Sequence, residues 1–157
     1  MLAEGLVIDR FWVIDPDYAG QSPPERLEQV NRALAESLRT PDGQAPTFRR
    51  TWALSRRPGA KLSTAQTRVN IDNSSSEQYT IFDIFAHDRV GLLWAITRTL
   101  FECGLSVSRA RIATHLDQVV DVFYTVDQDG NKVADEGRLE EIRARLLTVI
   151  EDQNCVE

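Results

Sequence analysis

The sequence predicts an α+β fold, an open antiparallel sheet with two helices on one face. Three observations carry this expectation. From about residue 67 onward, segments of strand and helix character follow in the order β-β-α-β-β-α. The first two strand segments flank a short turn, which favours an antiparallel hairpin. Apolar residues in the two helical segments recur at three- and four-residue spacing, which gives each helix one face to bury.

Residues 6–14 (LVIDRFWVI) are rich in β-branched and aromatic residues and read as a strand. DPDYAGQSPP collects turn formers. Pro24 suits the first turn of a helix, where its missing N–H costs little. From Glu25 to Leu38 the apolar residues Leu27, Val30, Leu34 and Leu38 make one helical face. Residues 39–65 carry Pro, Gly, Ser and basic residues with little periodicity, and read as a connector with a short strand near Phe48 to Leu54.

Thr67 to Asp72 alternates as a short strand, and NSSSE (73–77) is a turn cluster. QYTIFDIFA (78–86) has apolar groups on both faces, the pattern of a central strand. Asp88 is placed to cap the next helix, whose apolar face is Leu92, Leu93, Ile96, Leu100 and Phe101. Gly104 is placed to end it in the left-handed region. Leu105 to Leu116 reads as one strand, Asp117 and Gln118 as a turn, and Val119 to Val126 as the next strand. The last helix runs from Glu136 to about Glu151, with a stripe of Leu139, Ile142, Leu146 and Ile150.

An internal repeat crosses this order. A shift of 112 residues lays residues 7–38 on 119–150 without a gap. Asp9, Phe11, Asp15 and Asp17 meet Asp121, Phe123, Asp127 and Asp129. Arg26, Leu27, Glu28 and Leu34 meet Arg138, Leu139, Glu140 and Leu146. Identities on both sides of the loop point to duplication rather than to two similar strand-loop-helix units. The first copy then begins at its late strand. The expectation is that this chain is the C-terminal part of a longer protein, or that its first half folds against another surface, because one strand and one helix bury too little to fold alone.

Composition narrows the function classes. The 157 residues suffice for one ordinary domain or two small ones. The net charge of -6 argues against nucleic acid as the main partner. Basic residues gather at 49–61, where Arg49, Arg50, Arg56, Arg57 and Trp52 read as a solvated connector. No apolar run approaches the roughly 20 residues needed to cross a bilayer, and the N-terminus has no signal-peptide pattern, so the expected compartment is the cytoplasm. Cys103 and Cys155 make neither a metal spacing nor a disulfide scaffold, and Cys103 reads as a small packing residue. No metal, cofactor or catalytic residue is expected. His87-Asp88 alone cannot assemble a phosphohydrolase metal site. The acidic pairs Asp15/Asp17 and Asp127/Asp129 lack the bidentate glutamate of a calcium loop. His115, near a strand end, reads as a surface residue.

The most informative segment is YTIFDIFAHDRVGLL (79–93), where a strand gives way to a helix within a few residues. Amides at a helix start carry partial positive charge, and Gly91 permits close approach of a ligand. Such a turn suits the carboxylate of an amino acid, although many capped turns bind nothing. The segment resembles the ACT-domain signature, a strand leading into Asp-Arg-Pro-Gly-Leu-Leu. Here that turn reads Asp88-Arg89-Val90-Gly91-Leu92-Leu93, with Val90 in place of the usual proline. Together with SVSRARIATHLDQVVDVFYTVDQDG, it resembles the C-terminal tandem-ACT region of the PII uridylyltransferase/uridylyl-removing family.

The resemblance implies a ferredoxin-like ACT fold preceded by a partial second ACT unit. The expected divisions are 1–40 for the end of a first repeat, 41–65 for a connector and 66–157 for a complete ACT domain. It implies glutamine sensing in nitrogen regulation, with the chemistry in catalytic domains elsewhere. The implied ligand turn is His87, Asp88, Arg89, Val90, Gly91, Leu92 and Leu93, facing Ala110, Arg111, Ile112 and Ala113. The expected partners are an amino acid, glutamine by resemblance, and either a second copy or the catalytic domains. A stand-alone dimeric ACT interaction module is the alternative. The usual ACT sheet ends with a fourth strand beside the first. Only Asn154 to Glu157 would remain for it here, so Thr67 to Asp72 is expected to fill that edge from the N-terminal side.

Overall fold

The computed structural model describes residues 10, 12, 15, 18, 20–39, 66–115 and 118–152. The predicted strands at 6–14 and 48–54, the basic stretch at 49–61 and Cys155 lie wholly or mostly outside them. The chain divides into two compact units, Met1–Thr47 and Phe48–Glu157.

The described part of the first unit is dominated by helix α1, Pro24–Ser37, with proline in its first turn as predicted. None of its residues is buried. Leu27, Val30 and Leu34 are each about half exposed, so the apolar stripe has formed but is only half covered. Ahead of the helix, Asp15 accepts the Tyr18 N–H (3.2 Å), and its carboxylate pairs with Arg26 at 2.8 Å.

The second unit holds β1 (Arg68–Asp72), β2 (Thr80–His87), α2 (Leu92–Glu102), β3 (Leu105–Arg111), β4 (Thr114–His115), β5 (Gln118–Asp127) and α3 (Glu136–Glu151). The sheet is antiparallel in the order β1-β2-β5-β3, with β4 also on β5. Strand β1 pairs along β2 from Arg68–Phe85 to Asp72–Ile81, so the sheet edge is filled from the N-terminal side. Strand alternation sends Phe82, Ile84 and Ala86 of β2 and Val119 and Phe123 of β5 to one face. They share one core with Leu92, Ile96 and Leu100 of α2 and Ile142, Leu146 and Ile150 of α3. The helices pack on each other, α2 toward β3 and α3 toward β1. The opposite face carries Phe85 beneath the Arg68 guanidinium at 3.9 Å, and Tyr124 edge-on to Tyr79.

Polar groups fix the loop ends. Thr80 Oγ1 donates to Asn73 Oδ1 (2.9 Å) and accepts the Val133 N–H (3.0 Å), and Asn73 donates to Val133 O (2.8 Å). This small network leaves the buried threonine satisfied on both sides. Asp135 caps α3 by accepting the Arg138 N–H at 2.6 Å.

Gly104 follows α2 with φ 74°, and its N–H donates to Phe101 O at 2.8 Å. A Cβ there would meet only side-chain ends of Arg138 and Gln128, at ordinary contact distance. The cost of a side chain is therefore backbone strain. Gly104→Ala is expected to lose about 1 kcal/mol in urea denaturation. Cys103 is half-buried against the core, and burial raises its thiol pKa.

Several expectations need correction: Leu93 and Phe101, placed on the apolar face of α2, are exposed, and Gln118, read as turn, opens β5. Asp88 is not the helix cap. The N-cap is Gly91, in the left-handed region at φ 79°, with no side-chain cap, and the helix starts at Leu92. A cap must sit next to the first helical residue to reach its amides, and a turn closed by Leu92 N–H on Arg89 O (3.2 Å) separates Asp88 from it. The strand expected at 105–116 is interrupted. It shifts register between Val107 and Arg109 and breaks at Ile112–Ala113 before β4. Strand β2 begins at Thr80 rather than Gln78, because bends continue through that residue.

The units bear on the repeat. The 112-residue shift lays the first residue of α1, Pro24, on that of α3, Glu136. The Asp15–Tyr18 turn falls on the Asp127–Gly130 turn, closed by Gly130 N–H on Asp127 O at 3.1 Å. Leu27 N–H on Pro23 O falls on Leu139 N–H on Asp135 O.

Candidate functional site

The signature residues sit at one end of the sheet. His87 is the exposed last residue of β2, paired with Gln118. Asp88 is exposed, while Arg89, Val90 and Gly91 are half-buried. Leu92 is 2% exposed and packs in the core, so any part it plays in binding comes from its backbone. Leu93 is exposed. The first intrahelical bond is Ala95 N–H to Gly91 O at 2.9 Å. The amides ahead of it form the positive end of the helix dipole.

Arg89 has a structural task. Its Nη2 donates to Val149 O at 2.8 Å, in the last turn of α3. The carbonyls there lack helical partners and carry partial negative charge, so a guanidinium is favoured. This bond ties the turn to the second helix.

Ala110, Arg111, Ile112 and Ala113 are all exposed along the β3 edge and the break after it. Ala110 pairs with Phe123 and Arg111 with Val122. The turn and this edge are not adjacent in the sheet. Strand β5 runs between them, and one β5 residue relates to both.

That residue is Asp121, which the sequence reading passed over. It is 1% exposed, on the helix-facing side opposite Ile84. Its Oδ1 accepts the Ala113 N–H at 3.2 Å. Burial pushes its carboxyl up to about 6, the Ala113 bond opposes this, and the nearby Asp88 charge adds to it. The signal lay in the alternation of VVDVFYTV. A strand that sends Val119 and Phe123 inward sends Asp121 with them, and a charged residue on a core face needs a reason.

Asp72 shows the opposite effect. It accepts N–H bonds from Ser74 and Ser75 at 2.8 and 2.9 Å, and hydrogen bonds from these serines hold its carboxyl well below the usual range. On the open face, Asp83 is raised by burial and by Asp72.

Two shallow depressions lie elsewhere. One, of about 480 Å³, lies among Tyr79, Ser108, Val126 and Lys132. The other lies among Cys103, Gly104, Asp127 and Arg138. Among the described residues, no three His, Cys, Asp or Glu gather as a metal cluster, and no helix is long and apolar enough to cross a membrane. His115 belongs to β4.

The family described as "ACR9-like, ACT-like domain" matches residues 68–153. The chain is 34% identical over 150 residues to a bifunctional uridylyltransferase/uridylyl-removing enzyme of Novosphingobium aromaticivorans, covering 95% of this chain and 16% of that protein. A protein of the same description from Gluconobacter oxydans is 32% identical over 149 residues, covering 93% of this chain and 15% of that protein. One from Azospirillum brasilense is 42% identical over 88 residues, covering 56% and 9%. The chain thus spans at most about a sixth of the length of these relatives. No solved structure matches it significantly.

Proposed function

Because this chain belongs to the ACT-like domain family, we propose that it is the amino-acid-sensing region of a PII uridylyltransferase-like nitrogen-regulation enzyme, with glutamine as its ligand. The observation that carries this reading is the strand-turn-helix at 87–93, whose glycine N-cap leaves the positive end of α2 without a side-chain cap. The turn His87 to Leu93 takes the ligand carboxylate through its backbone. The edge Ala110 to Ala113 provides the other wall. The chain acts in the cytoplasm and contributes binding rather than chemistry, and the response passes to catalytic domains or to a second copy.

The proposed divisions are 1–40 as the end of a first ACT repeat, 41–65 as connector and 66–157 as a complete ACT domain. Support comes from the matching starts of α1 and α3 and from the matching turns ahead of them. A second reading, a dimeric ACT interaction module, draws support from the exposed Val107 and Ile112 along the β3 edge.

Isothermal titration of glutamine against other amino acids tests the first reading. Saturable heat with glutamine is expected. Gly91→Ala strains the left-handed N-cap and is expected to weaken binding about tenfold. No heat with any amino acid, alongside stable self-association, would replace this reading by the second.

A further inference from the structure

In an antiparallel ladder, a hydrogen-bonded pair exchanges two bonds, each residue donating once and accepting once. Arg111–Val122 and Thr114–Val119 keep one register across the break, which sets Ala113 opposite Val120. One bond of that pair is made: Val120 N–H donates to Ala113 O at 2.8 Å. The reciprocal bond is not. Ala113 N–H goes to the Asp121 carboxylate instead of the Val120 carbonyl. A buried side chain has taken a place that backbone normally fills, where the edge strand is interrupted and Ile112 is 46% exposed.

We propose that Asp121 is a positioning residue of the ligand site, its carboxylate holding the Ile112–Ala113 segment off the regular ladder so that this segment stands open toward a ligand. The inference rests on the reading of residues 110–113 as one wall of that site. A neutral carboxyl is a weaker acceptor. Protonation therefore releases the Ala113 amide to the Val120 carbonyl, and the edge closes into continuous strand.

The surroundings of Asp121 fit such a switch. Asp88 is the charged group acting on it. On the flanking strands, Asp83 of β2 and Arg111 of β3 both pair with Val122, the residue next to Asp121, and His87 ends β2 opposite Gln118. The first turn of α2 holds no acidic residue, and Arg89 is engaged on α3. Burial already places the carboxyl where mild acid protonates it.

The test uses the whole 157-residue chain, isotope-labelled, followed by amide NMR, with glutamine as the probe. The Ala113 amide of the unaltered protein is expected to shift with a midpoint near 6 and to lose that titration in Asp121→Asn. Glutamine affinity is expected to fall about tenfold below the midpoint, and not to change across it in the variant. An Ala113 amide that does not titrate in the unaltered protein overturns the proposal, and this needs no variant to fold. Equal glutamine affinity on both sides of the midpoint, with Ala113 titrating, also overturns it. Absence of glutamine heat at every pH removes the ligand reading instead, and the Ala113 titration alone then decides whether Asp121 governs this segment.

Discussion

Leu146→Ala is expected to destabilise the second unit by about 3 to 4 kcal/mol, while Leu34→Ala changes stability by no more than about 0.5 kcal/mol. These residues coincide under the 112-residue shift. Leu146 is 0% exposed, in the core with Ile142 and Ile150. Removing its side chain loses transfer energy and leaves a cavity that surrounding helix and sheet fill only in part. Leu34 is 49% exposed, so its truncation removes little that was buried. Urea denaturation of the two variants measures the contrast directly. The same pair bears on the proposed duplication. Where another surface covers the α1 stripe as the core covers α3, Leu34→Ala should become as costly as Leu146→Ala.

The second large effect is a pH dependence. Asp121 has its folded pKa raised to about 6 from an ordinary value of 3.8. Below the ordinary value both folded and unfolded chains hold the proton, and the group costs nothing. Between the two values only the folded chain holds it, so stability falls as pH rises. Above about 6 the folded protein carries the full penalty, about 3 kcal/mol. Asp121→Asn keeps an acceptor for the Ala113 N–H and removes the charge. It is expected to raise stability at neutral pH by about 2 kcal/mol, less than the full penalty because a charge-assisted bond is lost. Near pH 4 the gain should vanish, as urea midpoints measured across this range would report. Asp72 acts in the opposite sense. Its lowered pKa contributes stability above its ordinary value that is lost as pH falls below it. The two effects occupy separate windows. A residue that weakens the fold at neutral pH, yet holds an edge amide in place, fits a site that trades stability for function.

Much of this was legible in the sequence. The stripe of α3 and the end of α2 at Gly104 followed from periodicity and from the one residue type that enters the left-handed region without penalty. The edge placement of β1 followed from the short turn before β2. The helix start did not. Asp88 has the right residue type for a cap, but the left-handed turn at Gly91 moves the first helical residue beyond its reach. The break at Ile112–Ala113 was hidden because both residues are compatible with strand. What interrupts the ladder there is the side chain of Asp121, eight residues on from Ala113. Alternation shows that Asp121 faces inward, not which backbone bond it takes. The stripe of α1 was equally plain in sequence, but periodicity names the apolar face without naming what covers it.

The edge strand has a mechanical consequence. Strand β1 is bound to the sheet through β2 alone, and its first pair is Arg68–Phe85. Two residues beyond Phe85, β2 ends at His87 and the signature turn begins. Arg68, the first residue of β1, therefore lies at the same end of the sheet as that turn. Tension applied at Arg68 would load the Arg68–Phe85 pair first and open β1 like a zip from beside the turn, uncovering Val69 and Ile71 in succession. Anything clamped at the turn would stiffen the point where that unzipping starts.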